Sequence, residues 1–110
     1  VMEWAKNNIT GDMVNSSSTL NFSSPLNGSF ISTNNSLQIE AQINSLVPLK
    51  KIELYWNDNK IDELYSGFGN NYLYKFSYNP KDALSQNLLT LKITDNNNQG
   101  SQKSIIIFRN

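Results

Sequence analysis

The chain contains no cysteine and no histidine. The first absence removes disulfides, a thiolate nucleophile and the sulfur ligands of structural zinc. The second removes the imidazole base and the commonest metal ligand. An excess charge of one sign is also lacking, since nine Lys and Arg balance nine Asp and Glu. Proteins that grip nucleic acid usually carry a basic surplus to neutralise phosphates, so that partner class is not expected. Long apolar runs are missing as well. The longest is Ile105-Ile106-Ile107-Phe108, against roughly 20 residues for a spanning helix. Val1-Met2-Glu3-Trp4 has neither the basic start nor the long apolar core of a secretory leader. The opening Val suggests a piece of a longer protein, with any targeting signal upstream and any link to a membrane made through the parent chain.

What is present fits one small domain. A chain of 110 residues can close a single two-layer core but not a doubly wound fold with a second lobe. Asn is abundant, with eighteen copies, and these fall between apolar runs rather than in a tract. Asn tolerates left-handed backbone and bonds its own main chain, so it marks turns. Five Asn-x-Ser/Thr triplets, at Asn8, Asn15, Asn21, Asn27 and Asn34, are expected by chance in so Asn- and Ser-rich a chain.

Three segments follow from the patterning. Residues 1–9 place Val1, Trp4 and Ala5 on one helical face before Gly11, as in the end of a preceding helix. Residues 10–19 have linker composition. Residues 20–110 alternate with the period of strands. Leu37, Ile39, Ala41 and Ile43 alternate with polar residues, as do Ile52, Leu54 and Trp56, and Leu89, Leu91 and Ile93. Leu20-Asn21-Phe22-Ser23 runs to Pro25, and Ser29-Phe30-Ile31 continues it beyond the Asn27-Gly28 turn. Tyr72, Tyr74, Phe76 and Tyr78 share another strand face, and Ser104 to Arg109 form the last strand. About seven strands with turn signals every 8–12 residues or so predict an all-β antiparallel sandwich. A small closed barrel is the alternative.

The ordered set of segments resembles bacterial immunoglobulin-like (fibronectin-III-like) surface domains. Phe22-Ser23-Ser24-Pro25-Leu26-Asn27-Gly28-Ser29-Phe30-Ile31 is similar to their first-strand signature. Leu49 to Ile61, Tyr72 to Phe76, and Leu88 to Asp95 with Asn98-Gln99-Gly100 resemble the later strands and their turns. The resemblance implies an immunoglobulin-like sandwich serving as spacer, stalk or accessory module of a wall-associated enzyme or adhesin, outside the cytoplasm at a bacterial surface or in the periplasm. Val1-Met2-Glu3-Trp4-Ala5-Lys6 is similar to the helix that closes the transpeptidase domain of bifunctional penicillin-binding proteins. That implies a C-terminal accessory domain, with peptidoglycan, another glycan or an envelope protein as partner. The Ser-x-x-Lys and Lys-Thr-Gly motifs of the catalytic domain are not in this sequence.

Candidate chemistry is sparse. Asp58-Asn59 and Asp95-Asn96 could share a calcium ion only if their turns met at one end of the sandwich. The expectation is solvated turn carboxylates and no cofactor or metal. No nucleophile–base pair is apparent, so catalysis is not expected in this chain. Aromatic residues exceed what one core face needs, and Tyr55, Tyr65, Tyr72 and Tyr78 are the choice for an interaction surface, with rings that cover the sheet and hydroxyls that reach the rim as the competing reading.

Overall fold

The computed structural model describes residues 18–65 and 68–110. The expected helix at 1–9 and nearly all of the linker at 10–19 lie outside the described residues. Among the described residues, eight strands make two sheets. They are β1 (Ser18–Ser24), β2 (Ser29–Ile31), β3 (Leu37–Ser45), β4 (Leu49–Trp56), β5 (Asn59–Leu64), β6 (Asn71–Tyr78), β7 (Gln86–Asp95) and β8 (Gly100–Arg109). One sheet has the order β1-β3-β6 and the other β2-β8-β7-β4-β5. Among the described residues no helix is long and apolar enough to cross a membrane.

The period-2 pattern determines which face of each strand is buried. In β3, Leu37, Ile39, Ala41 and Ile43 are buried while Gln38, Gln42 and Asn44 face water. Ile52, Leu54 and Trp56 of β4, Leu89, Leu91 and Ile93 of β7, and Ile105 and Ile107 of β8 supply the opposing layer. Tyr74 is the one fully buried aromatic of β6, and Phe76 packs against the core half-exposed.

The expected count of about seven strands becomes eight because Ser29-Phe30-Ile31 does not continue the first strand. Register breaks between Phe22 and Ser24 of β1. The chain then leaves that sheet at Pro25, turns at Gly28 (φ 86°) and enters the other sheet as β2, parallel to β8. The parallel pair is the sole departure from antiparallel pairing in either sheet.

Two tight turns place the ends of the sandwich. Asn57 (φ 50°) and Asp58 (φ 69°) both adopt left-handed backbone between β4 and β5, the requirement of a two-residue hairpin turn that suits right-twisted strands. At the other end Asp95 Oδ1 accepts the main-chain N–H groups of Asn97 and Gln99 at 2.8 and 3.0 Å. Asp95 is thereby buried as a turn former whose carboxylate is bonded by its own main chain. Ser18 pairs with Ser45 near that second end, and Arg109 lies beside Ile31 at the first, so the described chain enters and leaves at opposite ends.

Candidate interaction surface

A bulge organises the polar side of the five-stranded sheet. Residues Tyr55 and Leu54 of β4 oppose Lys60 and Asp62 of β5, which leaves Ile61 as an extra residue. Without it Lys60 and Glu63, an odd number of positions apart, would point to opposite faces. With it Lys60 Nζ reaches Glu63 Oε2 at 2.7 Å and Glu53 Oε2 at 3.0 Å. Glu53 and Glu63 are direct cross-strand neighbours, a repulsive pairing that the ammonium between them relieves. Tyr55 donates its hydroxyl to Glu53 Oε2 at 2.9 Å, and Lys51 Nζ lies 3.5 Å from the other oxygen.

These contacts set the acidity of the cluster. Burial pushes the Glu53 carboxyl up, but bonds from Lys60 and Tyr55 and the charges of Lys51 and Lys60 outweigh it and hold it below the usual value. The Glu63 carboxyl is likewise held low, first by its bond from Lys60 and then by one from Tyr65. A general acid needs a raised pKa to carry its proton at neutral pH. Two carboxylates tied down by an ammonium cannot supply one.

The four tyrosines do not come together. Tyr55 stands on the outer face of the five-stranded sheet, and Tyr65, 64% exposed, follows β5 and bonds Glu63. Tyr72 and Tyr78 lie on the other sheet and point inward, opposite Ile43 and Leu37. Tyr78 packs its ring 5.3 Å from Trp56 and donates its hydroxyl to Asp82 at 3.1 Å. Tyr72 meets Phe68 edge-on at 5.8 Å. Both rings pack against the core, and the Tyr78 hydroxyl reaches its exposed partner at the rim. The buried Tyr74 instead spans the sheets, donating to Asp62 Oδ2 on β5 at 2.6 Å.

The two acidic turns are also apart. Leu49 pairs with Asp95 and Trp56 with Leu89, so Asp95 and Asp58 sit at opposite ends of β4. They cannot share one cation, and no group of three or more acidic side chains suited to a metal occurs among the described residues.

The outer face of the five-stranded sheet also carries an apolar patch. Phe30 is 66% exposed and stacks against Phe108 at 5.3 Å, while Ile106 and Leu88 are cross-strand neighbours on the same outer face. Its signal is the unbroken run Ile105 to Phe108. In a strand such a run must put alternate residues on the solvent side.

A family model described as a bacterial Ig domain matches residues 19–102. Among solved structures, the fold is similar to the fibronectin(III)-like modules of Clostridium thermocellum CbhA, at 16% identity and a TM-score of 0.64, over 83% of this chain and 94% of that one. It is also similar to the CARDB domain of a Pyrococcus furiosus protein in complex with di-metal ions, at 12% identity and a TM-score of 0.62, over 84% of this chain and 91% of that one. No curated protein sequence matches.

Proposed function

This chain belongs to the bacterial Ig domain family, and from that premise we propose that it works as a non-catalytic accessory spacer in a bacterial cell-envelope protein. The observation that carries this reading is the use already made of the buried carboxylates Glu53 and Asp95 and the buried amide Asn87. Glu53 is consumed by two lysines and a tyrosine, Asp95 by its own turn, and Asn87 by main chain around it. Among the described residues, these buried groups leave no carboxylate pair free for bond-making. An elongated body, 48 Å in its longest dimension, whose first described strand starts at one end of the sandwich suits a module that extends away from the domain it is joined to.

The more specific proposal places the chain outside the cytoplasm as the C-terminal module of a penicillin-binding protein in peptidoglycan synthesis. It rests on the likeness of Val1 to Lys6 to the closing helix of such transpeptidases. A second reading, a carbohydrate-binding or adhesive module of an extracellular hydrolase or adhesin, draws on Tyr55 and the exposed Tyr65 flanking one charged cluster. Sedimentation of the 110-residue chain with purified peptidoglycan, and NMR titration with a panel of soluble glycans, separate the two. The spacer reading expects no saturable binding from the folded chain. Saturable binding that shifts Tyr55 and Tyr65 signals replaces it with the second.

A further inference from the structure

Of the eighteen Asn residues only Asn27 is followed by Gly. The pair is exposed in the connection between β1 and β2. Gly28 has nothing within 4 Å of where a Cβ would stand, so no side chain shields the junction. Once this junction is free to move, the main-chain nitrogen of Gly28 can attack the side-chain carbonyl carbon of Asn27. The nitrogen gives up its proton, the C–N bond of the side-chain amide breaks and ammonia leaves. Water then opens the cyclic imide to aspartate or isoaspartate. No oxidant or other co-reactant is needed.

The fold opposes both requirements of that step. The Gly28 N–H donates to the carbonyl oxygen of Ile106 at 2.7 Å, which keeps the nucleophile protonated. The Asn27 side chain is turned outward to β8, where Oδ1 accepts the Ile106 N–H at 2.7 Å. One residue of β8 thus holds both reacting groups. We propose that Asn27 is a deamidation site gated by its paired hydrogen bonds to Ile106, reacting only when the β1–β2 connection opens. The gate is small, because β2 has three residues and pairs only with β8. Isoaspartate would lengthen the main chain at Asn27 and carry Gly28 out of register with Ile106, so each opening of the imide to isoaspartate loosens β2.

The test compares the intact chain with a synthetic peptide of residues 22–31 in mildly alkaline buffer. Conversion of amide to acid at Asn27 is followed by peptide mapping, and exchange of the Gly28 amide by hydrogen–deuterium labelling. The folded chain should react at least about tenfold more slowly than the peptide, an opening free energy of about 1.4 kcal/mol or more. Sub-denaturing urea should speed both processes together. So should Ser29→Ala, which removes the Ser29 Oγ bond to the Leu26 carbonyl at 2.6 Å. A peptide that fails to react overturns the proposal. So does a folded chain as fast as the peptide, or an Asn27 rate that stays flat while Gly28 exchange rises.

Discussion

Asn57 and Asn87, 30 positions apart, are joined through their side chains, with Nδ2 of Asn57 donating to Oδ1 of Asn87 at 2.9 Å. Asn57 also receives the Leu88 N–H on its Oδ1 at 2.8 Å. Asn87 receives the Leu84 N–H and donates to the Leu84 and Ile107 carbonyls. A hairpin turn, a loop and two neighbouring strands are thus locked by one satisfied polar network, which in a buried setting is costly to break. Asn87→Ala should lower stability by about 2–3 kcal/mol, because it strands several buried donors and acceptors at once. Asn57→Gly keeps the left-handed turn and loses only the side-chain bonds, so about 1 kcal/mol is expected. Urea unfolding of both variants checks the order. No loss in Asn57→Gly would show that turn conformation, not the network, is what Asn57 provides.

Glu53 should govern the acid limb of stability. Its carboxyl is held below the model-peptide value of 4.5, so the folded state favours the charged form. That contribution is present above about pH 4.5 and is lost as pH falls through the folded value. Glu53→Gln should flatten the decline of stability between neutral and acid pH, as followed by thermal unfolding. Lys60→Met should lower stability at neutral pH, leaving two facing carboxylates without their shared cation, and should likewise flatten the acid decline.

Tyr74 should govern the alkaline limb. Burial, then the bond to Asp62, push its phenol above the model value of 10.0. The folded state therefore favours the neutral form, and the stability it contributes is complete below about pH 10 and lost as pH rises beyond that. Tyr74→Phe should cost about 1–2 kcal/mol at neutral pH, as expected for a hydrogen bond to a charged acceptor. It should also make the alkaline decline shallower. An unchanged alkaline limb in the variant would place the ionisation elsewhere.

The last strand is required for folding. β8 lies between β2 and β7 and buries Ile105 and Ile107. Ending the chain at Ser104 should abolish the cooperative thermal transition. Ile107→Ala should keep it, with stability lowered by about 3–4 kcal/mol. A cooperative transition in the shortened chain would mean the sandwich closes without β8.

Much of the fold was legible because most strands bury one face and alternate cleanly, as β3 and β7 do. What stayed hidden depended on tertiary geometry. The sheet change between β1 and β2 arises from how the chain crosses at Pro25 to Gly28, and local alternation continues smoothly across it. Asn87 looks like any of many turn Asn residues, and only burial beside Asn57 reveals its role. The Glu53–Lys60–Glu63 cluster needs the bulge at Ile61, which shifts strand faces against the period-2 expectation. Tyr72 and Tyr78 stand out by ring count, yet their register opposite Ile43 and Leu37 turns them inward.

The spacer account is tested most directly by the distance between the two ends of the sandwich. The natural chain has no cysteine, so Thr19→Cys and Asn110→Cys accept spin labels at those positions alone. Both positions are exposed, near opposite ends. Double electron–electron resonance should give one narrow distribution near the span of a full strand, about 30 Å, unchanged by added peptidoglycan. A broad or short distribution, or one that moves when peptidoglycan is added, would contradict a rigid spacer.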